Sequence, residues 1–349
     1  MSQTLSATVE TTTLADHFQP DELEVEAHSH AMKVANGFRA RDDGKALLAI
    51  LANYAVIGTC VAVSERAWAV TSSETPALGW AAYTAACVLI ASRMRGFECL
   101  VHEASHYNLF ETPATHYALQ WLYSFPIFRV LEDYRQSHLT HHQRLGDATR
   151  DPDLIRIVAL GLDHAPDAPI YYLLFLPLSG YIHWEYLTTT FADYWAIRAG
   201  YPNKAIFWLV VLAAAVVHAP TARLLSLYYA VPFFIILPVL RYWAEAAEHI
   251  GLDLTRKFGH SRSNLGFVHK WLKGLGATLS TVNPHNDGYH AVHHLHAQVP
   301  FHQLPSAHTA LLNQNEAFAK RSAQSDGFFE SMLQMARNRT IMKRSAEKQ

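Results

Sequence analysis

Three short histidine motifs are the part of this sequence in which residue type and spacing could support chemistry. They are HEASH (His102, His106), HLTHH (His138, His141, His142) and HAVHH (His290, His293, His294). Histidines three or four positions apart share one face of an α-helix, so each motif can direct two or three imidazoles to one point. Neutral imidazole binds iron, zinc, copper and nickel, and eight imidazoles exceed what one ion requires. The motifs therefore predict a site for two metal ions.

The repeated HxxHH spacing carries most of this prediction. The chain has 22 histidines in 349 residues. At that frequency an HxxHH pattern arises by chance roughly 0.09 times, whereas a lone HxxxH is expected about once. The alternative, polar histidines at helix ends satisfied by carbonyls or water, suits any one of them but not eight together.

Four apolar segments, arranged as two hairpins, are the elements that must position the motifs. They are residues 46–63, 77–91, 205–217 and 224–240. If the second segment continues as a helix to Val101, its length is roughly 37 Å, which exceeds a hydrocarbon core of about 30 Å. The end of that helix should therefore project from the membrane and carry the first motif. The short link 218–223 makes the last two segments antiparallel neighbours.

A fifth apolar segment, residues 169–187, is interrupted by Pro177, Gly180, His183 and Glu185. If it crossed the membrane, the second and third motifs would lie on opposite sides. We therefore interpret it as an interfacial or re-entrant segment.

Composition agrees with a membrane protein that has polar ends. Charged residues make up 17% of the chain, against about a quarter in soluble domains. The formal charge of -2 indicates no general attraction to nucleic acid. The cysteines Cys60, Cys87 and Cys99 form no CxxC pair, which excludes a zinc ribbon or an iron–sulfur cluster built from these cysteines.

Three regions are expected: a polar cytoplasmic leader (1–45), a membrane domain (46–312) and a polar C-terminal tail (313–349). The basic residues on the motif side are Arg39, Arg41, Lys45, Arg93, Arg95, Arg241, Arg256 and Lys257. The opposite loops carry only Arg66 and Arg223. The positive-inside rule then predicts that the motifs and both termini are cytoplasmic.

Residues 45–312 resemble the membrane fatty-acid desaturase and hydroxylase superfamily. The resemblance rests on HEASH after the second apolar segment, RQSHLTHH about thirty residues later and NDGYHAVHHLHAQVPFHQLP near the end. It implies an all-α integral membrane fold: two transmembrane hairpins with four crossing helices, interfacial helices, and a cytosolic cap that holds a di-iron site.

The same resemblance implies a further metal ligand just after the fourth crossing, where RYWAEAAEHIG contains His249. Glu245 lies one helical turn earlier and shares the face of His249, so it could hold a water or a metal, whereas Glu248 is expected to point elsewhere. Asn286 could orient a metal-bound water. His285, His296 and His302 lie near the third motif without its spacing, and their roles stay open.

The activity implied is oxidation of an alkyl chain by O2 at two iron ions, with two external electrons. Desaturation of a fatty acyl lipid is the first expectation. Hydroxylation or ketone formation on an alkyl, carotenoid or small-metabolite substrate is the alternative. No fused haem domain is visible, so a separate donor of ferredoxin, rubredoxin or cytochrome b5 type is expected, besides the lipid bilayer.

The sequence also predicts where the substrate and the electron donor bind. The substrate pocket is expected on the inner faces of the hairpins, around Trp80, Tyr83, Trp121, Tyr242 and Trp243. The donor is expected to dock on a basic region, for which an ordinary cytoplasmic loop is the alternative. That region comprises Arg256, Lys257, Arg262, Lys270 and Lys273.

A different class of enzyme also fits the first motif. HEASH satisfies the HExxH pattern of a membrane zinc peptidase, with Glu103 as general base. That interpretation leaves both HxxHH motifs unexplained.

Overall fold

The computed structural model describes residues 22–71, 76–147, 149–159, 176–195, 202–249, 261–264, 282–325 and 330–334. These residues are almost wholly helical. The helices are α1 (Glu22–Asn36), α2 (Asp43–Val70), α3 (Pro76–Ser105), α4 (Pro113–Ala118), α5 (Gln120–Tyr123), α6 (Leu131–Arg144), α7 (Pro152–Ala159), α8 (Tyr181–Trp195), α9 (Pro202–Val217), α10 (Ala219–His249), α11 (His290–Leu295), α12 (Leu304–Gln314) and α13 (Glu316–Arg321). Two short strands, β1 (Arg262–Asn264) and β2 (Ala323–Ser325), pair in parallel.

Three helices are long and apolar enough to cross a membrane. They are α2, α3 and α10, with 28, 30 and 31 residues. Large apolar side chains such as Leu51 on α2 and Val210 on α9 are exposed, as expected for surfaces that face lipid. The protein is therefore an all-α integral membrane protein. The shorter α9 has 16 residues and is joined to α10 through His218 alone, so the pair forms the predicted second hairpin, while a crossing by α9 stays a prediction.

Helices α2 and α3 are in direct contact at two glycines. A Cβ atom on Gly96 would lie 2.8 Å from the Oδ1 of Asn53, and one on Gly79 would lie 2.6 Å from the ring of Trp68. Only glycine permits this approach, which fixes the register of the two helices. As predicted, α3 continues beyond Val101, and it ends at Ser105 with the first motif on its last turns.

Helix α10 is widened at two places before it reaches the histidine motifs. Ser226–Ala230 and Pro232–Ile236 are π-helical, and a regular α-helix follows over Leu237–His249. A proline inside a helix removes one N–H donor and crowds the preceding turn, which accounts for the irregularity at Pro232. The regular final segment then carries Glu245, Glu248 and His249.

The interrupted apolar segment is described from residue 176, where a 3-10 turn (Leu176–Ser179) leads into α8. Residues 169–175 lie outside the described part. Helix α8 has 15 residues, or about 22 Å, which is less than the hydrocarbon thickness. Its exposed Tyr181 and Trp184 are residue types found at membrane interfaces, which supports the predicted interfacial position.

Parts of the predicted leader and tail pack on the region between them. Helix α1 contributes Ala31 and Ala35 to a small apolar core that also contains Leu311 of α12 and Phe318 of α13. Strand β2, within the predicted tail, pairs with β1 from the central region. These contacts build the cap on the histidine side of the helices.

Candidate metal centre

The structure brings the eight motif histidines and His249 into one cluster of buried and half-buried side chains. Helix α3 and the residue after it supply the first motif, α6 the second, the end of α10 supplies His249, and α11 the third. The nitrogen atoms of one group, His102, His106, His138, His142 and His293, all lie within 4.8 Å of one another. Two further groups share His249: one adds His141 and His294, and the other adds His290 and Glu248. We call these ten residues the metal centre.

The distances between the ring nitrogens are those of neighbouring ligands on an ion. The Nε2 atoms of His138 and His106 are 2.9 Å apart, and those of His142 and His138 are 3.0 Å apart. In the second group the Nε2 atom of His290 is 2.9 Å from that of His249 and 3.1 Å from that of His294. Two nitrogens ~2.1 Å from one ion and at right angles to each other would be about 3.0 Å apart. The nine histidines therefore fit two metal ions.

Two of the histidines are oriented by aspartates. The Nδ1 atom of His141 lies 2.8 Å from Asp151, and the Nδ1 atom of His102 lies 3.3 Å from Asp287. The Nε2 atoms of both histidines are buried and have no hydrogen-bond partner among the described residues. A carboxylate on one ring nitrogen fixes the tautomer and leaves the other nitrogen available to a metal. Unpartnered buried nitrogens are otherwise costly, so they are independent support for an ion here.

Neither aspartate was found by sequence reasoning, although each had a sequence signal. Asp151 begins Asp-Pro-Asp, a short distance after the second motif, and Asp287 lies three residues before His290. Arg95 holds Asp287 through an ion pair of 2.6 Å. Burial alone would raise the pKa of Asp287, but the charge of Arg95 and the contact with His102 lower it, so Asp287 is ionised.

Burial lowers the pKa of most of these histidines, whereas for His141 the contacts with Asp151 and Asp153 outweigh burial and raise the pKa. Burial lowers the pKa of His142 to about 2 and holds the pKa values of five others well below the ordinary value: His106, His138, His290, His293 and His294. Neighbouring imidazoles add to this effect because charged rings would repel one another. These six imidazoles are therefore neutral, which is the form that binds a metal.

Of the two glutamates near the end of α10, Glu248 lies at the metal centre, although the sequence favoured Glu245. Glu245 forms an ion pair with Arg156, with 2.5 Å between its Oε2 and Nη1. Glu248, which was expected to point elsewhere, has its Oε2 at 3.9 Å from the Nε2 of His290 and accepts a hydrogen bond from Asn283. Helical spacing relates Glu245 to His249 on the same helix. It says nothing about contacts with other helices, such as the approach of Glu248 to His290 on α11.

The residues around the third motif have structural contacts. His285 bonds to Asn53 on α2 through its Nε2, at 3.2 Å from Oδ1. Asn286 donates from Nδ2 to the carbonyl of Phe301 at 2.9 Å, and its Oδ1 is buried without a partner among the described residues. Both have positive φ angles, so they form a tight turn before α11. These two residues, His296 and His302 lie outside all four groups of candidate ligands among the described residues.

Glu103 does not occupy the position of a peptidase base. Its Oε2 accepts a hydrogen bond of 2.8 Å from the backbone N–H of Phe301, and Glu103 belongs to none of the described ligand groups. It therefore connects α3 to the loop after the third motif. The zinc peptidase interpretation is not supported.

A cavity of about 370 Å³ opens beside the metal centre. It reaches His102, His138, His141, His249 and His290, and it lies between α3, α6, α7, α8 and α10. None of the five aromatic residues expected around the pocket lines it. Trp80 and Trp121 are instead exposed on the outer surface. The positions of aromatic residues in the sequence therefore did not predict where the cavity lies.

The predicted docking region is only partly visible. Arg256, Lys257, Lys270 and Lys273 lie outside the described residues. Arg262 is fully buried and donates a hydrogen bond of 2.6 Å from Nη1 to the carbonyl of Ala247. It is a structural residue of the cap, and the expectation that it contacts a partner is wrong.

Comparison with known proteins agrees with this site. Residues 78–322 match the family described as fatty acid desaturase, and that range contains all nine histidines. A dihydrorhizobitoxine desaturase of Bradyrhizobium elkanii is 26% identical over 295 residues, which are 80% of this chain and 78% of that relative.

Proposed function

Since the chain belongs to the fatty acid desaturase family, we propose that it is a di-iron oxidoreductase that forms a double bond in an alkyl segment of its substrate. The observation that carries this proposal is the pair of histidine groups whose Nε2 atoms are 2.9–3.1 Å apart. Nine imidazoles suit two ions. Iron is preferred to zinc because zinc has no redox chemistry with which to use O2.

The overall reaction balances with one O2 and a two-electron donor. It is R–CH2–CH2–R′ + O2 + 2 e⁻ + 2 H⁺ → R–CH=CH–R′ + 2 H2O. Iron, when bound, supplies the chemistry that cleaves unactivated C–H bonds. The electrons come from a separate ferredoxin, rubredoxin or cytochrome b5 type protein, for which the cytoplasmic cap is the accessible face. Hydroxylation, in which one oxygen atom enters the substrate, is the alternative on the same scaffold.

The protein's own residues position the reactants. Asp151 and Asp287 hold two ligands in the tautomer that faces the metals. Most of the candidate ligands are buried, and the adjoining cavity can hold the substrate against them. A site shaped in this way brings one methylene pair of the substrate to the metals and excludes others.

The cavity favours a compact polar substrate over a fatty acyl chain. Of its 23 lining residues, 11 are Asp, Glu or Arg. An acyl chain would lose free energy against such a lining, because desolvated charges need polar partners. This supports the small-metabolite alternative from the sequence. One relative is named for the desaturation of dihydrorhizobitoxine, and we propose that compound as a candidate substrate to test beside fatty acyl lipids.

Metal analysis with product analysis tests the proposal. The purified chain should contain about two iron ions, and its substrate should become about two mass units lighter under O2. His141→Ala should lose iron and activity, whereas His218→Ala, in the exposed link between α9 and α10, should keep both. A single tightly bound zinc ion would refute the proposal, and a product about sixteen mass units heavier would establish hydroxylation.

A further inference from the structure

We propose that Arg129 and Arg241 form a carboxylate-binding subsite in the cavity beside the metal centre, and that the substrate is a compact molecule with an anionic group. This inference rests on the proposed function and specifies its substrate class. Arg129 precedes α6, and Arg241 lies on α10, two turns before His249. Both line the same cavity as the histidines.

The two guanidinium groups share one distant carboxylate oxygen. The Nη2 of Arg129 is 3.8 Å and the Nη1 of Arg241 is 3.7 Å from the Oε1 of Glu98. That oxygen already accepts a hydrogen bond of 3.2 Å from the Tyr186 hydroxyl. Both nitrogen–oxygen distances exceed a hydrogen bond, so neither guanidinium has a hydrogen-bonded acid among the described residues.

Near Glu98, the guanidinium groups outnumber the carboxylates with which they form ion pairs. Arg95 is also 3.8 Å from Glu98 and pairs closely with Asp287. Three guanidinium groups thus face two carboxylates. Arg156, in the same cavity, has the reverse arrangement, because it is held by both Glu185 and Glu245.

Asp133, Asp153, Asp193 and Glu248 also line the cavity. Two of them, Asp153 and Glu248, contact groups other than these two arginines. Asp153 lies 3.4 Å from the Nδ1 of His141, and Glu248 accepts from Asn283. The side chains of Arg129 and Arg241 are only 10% and 23% exposed. A guanidinium removed from water requires an anionic partner, and its planar set of N–H donors matches the two oxygens of a carboxylate. An incoming carboxylate would complete this arrangement.

The position of the subsite would allow a bound anionic group to orient the rest of the substrate toward the metal centre. A molecule anchored at Arg129 and Arg241 can extend through a cavity of about 370 Å³ to His102 and His138. That volume suits a small molecule, at the lower end of ordinary ligand sites. The anchored carboxylate would thereby select which carbon–carbon bond reaches the metals, because a substrate held at one end can present only one part of its chain to them.

Binding of a fluorinated probe tests the subsite without turnover. The full-length, metal-containing protein is purified in detergent and kept anaerobic, and 6,6,6-trifluorohexanoate is followed by ¹⁹F NMR. Hexanoate should displace the probe, whereas hexanamide, which has the same shape without the charge, should be at least about tenfold weaker. Palmitate in the same micelles should not compete, because its long apolar chain would have to leave the micelle for a lining rich in charged groups.

Substitutions assign the effect to the two arginines. Arg129→Gln and Arg241→Gln should each weaken probe binding about tenfold or more, and the lysine variants, which keep the charge but lose the planar fork, should weaken it less. Arg223→Gln, which removes an exposed arginine paired with Glu65 outside the cavity, is the matched control and should change nothing.

Unchanged binding in the glutamine variants would overturn the proposal, as would equal displacement by hexanoate and hexanamide. Displacement by palmitate would assign the subsite to a long acyl carboxylate and would also overturn it. Iron content and thermal stability are measured in each variant, and the lysine variants keep the test valid if a glutamine variant fails to fold. Since binding is read without O2, a failure of the subsite is distinct from a failure of the di-iron assignment.

Discussion

The Nδ1 atom of His141 donates a hydrogen bond of 2.8 Å to Asp151, a residue ten positions later in the chain. The same carboxylate accepts the backbone N–H groups of Gly146 and Asp153, both at 3.0 Å. Asp151 therefore caps α7 and fixes the loop after the second motif while it orients a candidate ligand. The loop and the metal centre are coupled through one side chain.

Replacement of Asp151 by asparagine should weaken metal binding about 10- to 100-fold, the usual effect of losing a carboxylate behind a ligand histidine. Asparagine is also a good helix cap, so α7 should persist and the loss should reflect the missing charge. Competition titration with a metal chelator measures the affinity.

Asp147→Asn is the control for that experiment. Asp147 lies in the same loop, and its side chain contacts only Thr149 and Arg150 among the described residues. Equal losses in both variants would show that loop stability, rather than the orientation of His141, controls the affinity.

Membrane topology provides a second prediction. In a background in which Cys60, Cys87 and Cys99 are replaced by alanine, Ala219→Cys lies at the start of α10, next to the α9–α10 link, and Ser306→Cys lies on α12 in the cap; both sites are exposed. If the cap is cytoplasmic and α9 crosses, a charged maleimide should label Ser306→Cys in inside-out vesicles and Ala219→Cys in right-side-out vesicles. Labelling of both from the same side would mean that the second hairpin does not cross the membrane.

The histidine cluster could be predicted from the sequence because it depends on the spacing of residues that are close together in the chain. A spacing of three or four residues places imidazoles on one helix face, whatever the rest of the fold does. Membrane depth then restricted where α3 could end, and the structure places His102 near that end. His249 came from family resemblance, since one isolated histidine has no informative spacing.

The supporting charges could not be anticipated because their partners are distant in sequence. Arg95 was counted as a basic residue marking the cytoplasmic side, yet it is held by Asp287, 192 positions away. Arg93 was counted in the same way and is 1% exposed. Both arginines serve the interior of the cap, so they carry less weight in the orientation argument than the exposed Lys45.

The metal-free protein should lose stability steeply as the pH falls from about 6.5 to 5. Burial lowers the pKa of His142 to about 2 and that of His138 and His293 well below the ordinary value. These rings stay neutral when folded, whereas in the unfolded chain they bind protons below about pH 6.5. The unfolded state then holds more protons, and each such histidine lowers the free energy of unfolding by ~1.4 kcal/mol per pH unit. This pH range lies above the pKa values of ordinary carboxyl groups, so their protonation does not account for the loss.

Thermal unfolding of chelator-treated protein in detergent at several pH values measures this slope. His142→Gln removes one of the titrating rings, so the variant should lose stability less steeply by ~1.4 kcal/mol per pH unit. His218→Gln changes an exposed histidine in the α9–α10 link and should keep the original slope. Iron should raise the melting temperature at every pH, because an ion that binds only the folded state stabilises it. A metal-free protein equally stable at pH 5 and pH 7 would mean that the cluster can take up protons while folded, which close packing of neutral imidazoles does not allow.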